Sequence, residues 1–84
     1  MSLIEQWANN IGETETINGS WIQSIAKAYN ADIKSNNILL DIAIKLQVRN
    51  TEGDLYQQIS LALGGTQPLN GSWIERIVQK TRPR

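Results

Sequence analysis

Eighty-four residues allow one domain at most, and a chain of this size buries only ~60–65% of the surface its unfolded form exposes. The absence of cysteine and histidine removes disulfides, thiolate metal sites and the commonest acid–base group. Eight basic and eight acidic residues cancel, so the positive excess with which a dedicated nucleic-acid binder displaces phosphate counterions is missing.

The chain opens on MSLIEQWANN, which has neither the basic nor the apolar segment of a signal peptide, and none is expected. Leu3 leads a first apolar pattern that returns at Trp21, Ile38, Leu55 and Trp73, at spacings of 18, 17, 17 and 18 residues. One residue after each lead stand Ile4, Ile22, Leu39, Tyr56 and Ile74; four after, Trp7, Ile25, Ile42, Ile59 and Ile77. Five after come Ala8, Ala26, Ala43, Ser60 and Val78, and eight after come Ile11, Tyr29, Leu46, Leu63 and Thr81. At 100° per residue these positions make one apolar stripe about 140° wide, the mark of an amphipathic helix. The strongest single repetition is TINGSWIQSIAKAY (16–29) against PLNGSWIERIVQKT (68–81), 52 residues apart without a gap.

Each lead is preceded by a good N-cap: Ser2, Ser20, Asn37, Asp54 and Ser72. Nine residues after the lead, Gly12, Asn30 and Gly64 suit the left-handed end of a helix, whereas Gln47 and Arg82 do not. The predicted fold is therefore all-α, a single domain made of a tandem array of five short helices near 3–11, 21–29, 38–47, 55–63 and 73–81. Connectors such as GETETING and GGTQPLNG are polar, and Pro68 cannot prolong the fourth helix. Each helix is shorter than the ~12–15 residues at which an isolated one becomes marginal, so neighbours or a partner must cover its stripe. The spacing permits a compact bundle or an extended string.

The third unit departs from the others. Leu40, Ile44 and Val48 fall off its stripe, near ~200°, ~240° and ~280°. It is predicted either to sit centrally, with neighbours on both sides, or to offer these three residues to another protein. Its longest apolar run, 38–48, is broken by Asp41, Lys45 and Gln47, and is too short and polar to cross a bilayer.

Candidate chemistry is sparse. Ser20 and Ser72 have no histidine base and read as caps. Glu13 and Glu15 lie in a connector, Asp41 on a helix surface and Asp54 at a cap, so no paired-carboxylate site is expected. Gly64–Gly65 lacks the spacing and lysine of a phosphate loop. No catalytic, cofactor or metal residue is assigned. Trp7, Trp21 and Trp73 all fall on the stripe, which favours a packing role over a binding hot spot.

Charge is unevenly spread. Residues 1–42 carry five carboxylates against Lys27 and Lys34, while residues 43–84 carry six cations against three carboxylates. This polarity suggests head-to-tail association, or docking of the basic end, Arg76, Lys80, Arg82 and Arg84, on an acidic partner. The same end is the only candidate DNA reader, and Glu75 on its outer face opposes phosphate.

The segments NGSWIQSIAKAYN (18–30), GDLYQQISLALGGTQPL (53–69) and NGSWIERIV (70–78) resemble a repeat of tailed-bacteriophage structural proteins, which reads approximately NxSWLxxIAxALGGTxT. With the degenerate first and third units the resemblance spans nearly the whole chain, although the third unit lacks the closing glycine and the polar outer face. It implies a short, non-enzymatic virion component that decorates the capsid or joins head, neck, tail or fibre proteins. Its partners would be other virion proteins and further copies of itself, with no small-molecule substrate and no membrane. Two other readings are a small DNA-binding or transcription-regulating protein and a self-associating helical interaction domain.

Overall fold

The computed structural model describes residues 1–83, which form five α-helices and no extended strand. They are α1 (Leu3–Asn10), α2 (Trp21–Ala28), α3 (Ile38–Lys45), α4 (Leu55–Ala62) and α5 (Trp73–Thr81), each starting at its predicted lead residue. Four of them stop one or two residues before the predicted end, because the residue eight after the lead (Ile11, Tyr29, Leu46 or Leu63) is already the C-cap.

All five predicted N-caps do the same work. The side chains of Ser2, Ser20, Asn37 and Ser72 each accept the N–H three residues on, at 3.1–3.3 Å. Asp54 accepts from Tyr56 at 2.9 Å and from Gln57 at 3.4 Å. Each bond satisfies a first-turn donor that has no partner inside its helix, a contribution of about 1 kcal/mol per cap.

The helix ends are more uniform than predicted. Gly12, Asn30, Gln47 and Gly64 all take positive φ, at 97°, 60°, 60° and 93°. Their N–H groups bond back to Asn9, Lys27, Ile44 and Leu61, and the next N–H in each case reaches the carbonyl of Ala8, Ala26, Ala43 or Ser60 at 2.7–3.2 Å. This paired closure is the Schellman arrangement. Gln47 is thus a correction, since it ends α3 as the glycines end α1 and α4. A left-handed glutamine costs ~1–2 kcal/mol, which is offset here by the Val48 N–H bond to Ala43 and by Val48 packing on the core.

Two connectors contain a device the sequence reading passed over. Asn18 and Gly19, and again Asn70 and Gly71, have φ of 52° and 75°, and Ile17 pairs with Ser20 as Leu69 pairs with Ser72. Asn-Gly in this conformation is a two-residue primed turn. It reverses the chain so that the next residue, Ser20 or Ser72, arrives extended at the N-cap position.

The array closes on itself. Each helix packs on its neighbours in sequence, and α5 also packs on α1. The radius of gyration is 11.8 Å, the ~12 Å expected of a folded domain of this length. The spacing allowed a string; the structure is a bundle. Its centre is one row of the repeat, Trp7, Ile25, Ile42, Ile59 and Ile77, all without solvent exposure. The next row, Ala8, Ala26, Ala43, Ser60 and Val78, is buried beside it. Full burial of a large aliphatic side chain contributes about 1.5–3 kcal/mol, so five central side chains together can hold helices that would not persist singly. The prediction that α3 lies at the centre is corrected: in a closed bundle every helix has two neighbours, and α3 has no more than the rest.

Closure also settles the end of α5. Arg82 leaves the helix extended, with φ −59° and ψ 133°, so the helix does not close on a left-handed residue as the other four do. Instead the Asn10 side-chain amide of α1 donates to the Val78 carbonyl at 2.9 Å and to the Thr81 hydroxyl at 3.3 Å. The Thr81 hydroxyl donates in turn toward Ile77 and Val78. The first helix therefore caps the last.

Candidate interaction surface

Among the described residues, no three histidine, cysteine, aspartate or glutamate side chains gather closely enough to hold a metal ion. Ser20 and Ser72 are occupied as caps. What the fold does present is surface, and the repeat supplies an internal control for reading it.

Six residues after each lead, the side chain lies off the apolar stripe. Three units place a polar group there: Asn9, Lys27 and Gln79. The third and fourth place Ile44 and Leu61, which are 53% and 40% exposed. Apart from Met1 these are the exposed large apolar side chains of the described chain. They belong to adjacent helices. Leu61 lines a groove of about 460 Å³ whose wall also includes Leu46, Val48 and Gln58, with Arg49 as its one charged member. Lys45, also exposed, follows Ile44 directly. Adjacent helices thus each expose one large apolar side chain, with Lys45 beside Ile44 and Arg49 in the groove that Leu61 lines.

The predicted outward trio is only partly confirmed as a surface. Ile44 is exposed and Leu40 half-buried, but Val48 packs against the core. Helical periodicity placed Val48 outside; the left-handed turn at Gln47 ends the helix two residues earlier and swings it inward. Leu61 was missed. A comparison of the sixth position across all five units would have found it, because it breaks the pattern just as Ile44 does.

The tryptophans separate into three environments. Trp7 is wholly buried, and its indole N–H donates to the Tyr29 hydroxyl at 3.2 Å with the rings tilted at 6.2 Å. Trp21 is half-buried against the core, and Trp73 is half-buried outside that layer. Burial raises the Tyr29 pKa above 10.0 because the phenolate would lose solvation, and the Trp7 N–H opposes this only in part. Tyr56 is raised as well, by burial first and then by the Asp54 carboxylate.

Of the basic end, Arg76 is fixed rather than free. Its Nε donates to the Gln67 carbonyl at 2.8 Å and its Nη1 to the Gln79 side chain at 3.2 Å. Lys80 and Arg82 are exposed. Arg84 lies outside the described residues. Among the described residues of the chain one ion pair forms, Lys27 with Glu13 at 4.0 Å, and at such exposure it adds little. No helix is long and apolar enough to cross a membrane. No protein-family model matches the chain, and neither a curated protein nor a solved structure is detectably similar to it.

Proposed function

We propose that this chain is a non-enzymatic structural subunit that docks on a larger protein assembly through its α3–α4 edge. The observation that carries the reading is the exposure of Ile44 and Leu61 at a repeat position that is polar in the other three units. Apolar side chains on adjacent elements, bordered by charge, are what a docking patch requires, whereas scattered single ones need no explanation. The remaining stripes cover one another inside the bundle, so a partner is not needed to complete the core.

The setting we propose is the virion of a tailed bacteriophage, where the chain acts as a decoration or adaptor on capsid, neck, tail or fibre proteins. Support for this comes from the resemblance of its repeat unit. The test is whether the chain co-purifies with intact particles at fixed stoichiometry, and whether a double substitution of Ile44 and Leu61 by serine lowers that stoichiometry while leaving the melting temperature alone. Presence only in infected-cell lysate, with none on purified particles, counts against it. Self-association through the acidic and basic halves is a second reading, supported by the uneven charge. It predicts an oligomer that dissociates as salt rises, visible by sedimentation at two ionic strengths. An apolar edge keeps its contacts under the same change.

A further inference from the structure

The 52-residue repeat places two connectors in equivalent positions, and their chemistry has been inverted. Between α1 and α2 the walls of a shallow pocket include Glu13, Glu15 and Lys27. The equivalent pocket between α4 and α5, about 150 Å³, is walled by Gly64, Gly65, Thr66, Gln67, Arg76 and Lys80. Matching by the repeat, Glu13 becomes Gly65, Glu15 becomes Gln67, Ser24 becomes Arg76 and Ala28 becomes Lys80. Two carboxylates have gone, Lys27 is matched by the uncharged Gln79, and two cations have arrived, so the charged side chains of the wall pass from net negative to net positive.

These changes depend on one another. In the first connector the Ser24 hydroxyl donates to the Glu15 carbonyl at 2.6 Å, and in the second Arg76 Nε donates to the matching Gln67 carbonyl at 2.8 Å. A hydroxyl is therefore enough to satisfy that carbonyl, and the guanidinium is not required for it. Arg76 fits only because residue 65 is glycine: a Cβ there would run into Cγ of Arg76 and the Ser60 hydroxyl oxygen. The φ of Gly65 is not left-handed, so space and not backbone conformation calls for glycine. The side chain is then pinned by its bonds to Gln67 and Gln79, which pre-orders the guanidinium and lowers the entropy lost when a ligand binds.

We propose that Arg76, Lys80 and Thr66 form a binding site for a phosphate-type oxyanion at the α4–α5 connector. Arg76 supplies the guanidinium N–H groups that Gln67 and Gln79 leave free, Lys80 a mobile charge, and Thr66 lines the same pocket. No carboxylate lines the pocket to compete, and the one ion pair among the described residues lies elsewhere. The pocket is an open depression of about 150 Å³, which an anion can enter directly from solvent. This site is independent of the α3–α4 docking edge.

The experiment is a titration of the whole chain with inorganic phosphate, balanced with sodium chloride to constant ionic strength and followed by amide and arginine Nε resonances. The expected result is saturable shifts confined to residues 64–67 and Arg76, with a Kd on the order of millimolar, and none at residues 12–15. Arg76→Ser copies Ser24 and so keeps the Gln67 carbonyl bonded; it should weaken binding ~10-fold or more with little change in melting. Lys80→Gln, at an exposed position, should weaken it less and guards against a folding failure of the first variant. Shifts that never saturate, that appear equally at residues 12–15, or that survive both substitutions overturn the site. Acetate binding as well as phosphate at matched ionic strength overturns the assignment of a tetrahedral ligand.

Discussion

At the α1–α5 seam, Asn10 crosses to the Val78 carbonyl and the Thr81 hydroxyl, so the two ends of the chain share hydrogen bonds as well as apolar contact. At the α3–α4 seam the helices touch least of any neighbouring pair, and apolar side chains face outward at Ile44 and Leu61. The same repeat unit built both seams. The difference shows that packing and surface character are set by different positions of one pattern: rows four and five residues after the lead hold the bundle together, while the sixth is free to vary. Two adjacent units turn that row apolar, at Ile44 and Leu61, without disturbing the core.

Several substitutions would break or sharpen this contrast. The largest effect belongs to the centre: Trp7→Ala should destabilise by ~3–5 kcal/mol, because it leaves a cavity in place of the largest wholly buried side chain. Denaturant unfolding measures it, and a loss below ~1 kcal/mol would mean that Trp7 is not central. Next comes Asn10→Ala, expected to cost about 1 kcal/mol by removing the amide donor that the Val78 carbonyl and the Thr81 hydroxyl share. Amide hydrogen exchange should locate its effect in α1 and α5, leaving α3 and α4 as protected as before.

Alkaline titration probes the layer around Trp7. With Tyr29 and Tyr56 raised above 10.0, the fold prefers the neutral phenol, so their contribution to stability is complete below pH 10.0 and is lost as pH rises through the folded values. Melting temperature should fall above that pH, and Tyr56→Phe should blunt the fall; an unchanged alkaline limb would contradict it. A smaller and opposite effect is expected at the end of α3, where Gln47→Gly should stabilise by ~0.5–1 kcal/mol by relieving a left-handed glutamine. Smallest of all, Ile44→Ser should move stability by no more than ~0.5 kcal/mol while weakening assembly, the signature of a surface side chain with an outside partner.

Much of this was readable beforehand. The five N-caps and five lead residues were found by their spacing alone, because a cap acts within its own first turn and needs nothing distant. The Asn-Gly turns were equally local and were missed only because the connectors were read as polar spacers. Gln47 and Val48 were not legible in the same way. Nothing in a glutamine announces positive φ; the conformation is imposed by the carbonyl of Ala43 and the core contact of Val48, both supplied by the folded neighbour. The docking edge was half visible: Ile44 stood out from its own helix, but Leu61 only gains meaning beside it. The anion pocket lay hidden for a like reason, since Gly65 and Arg76 are eleven residues apart and meet only across the connector.

The order of residues by itself determined that this chain makes five short helices, where each begins, and which face of each is apolar. Those properties depend on interactions within about one turn, and repetition makes them easy to read. Only the tertiary structure decided that the array closes, that Asn10 caps α5, and that the units exposing Ile44 and Leu61 pack as neighbours. Closure depends on the small rotation between successive units accumulating to a full circuit, and no local pattern records that angle.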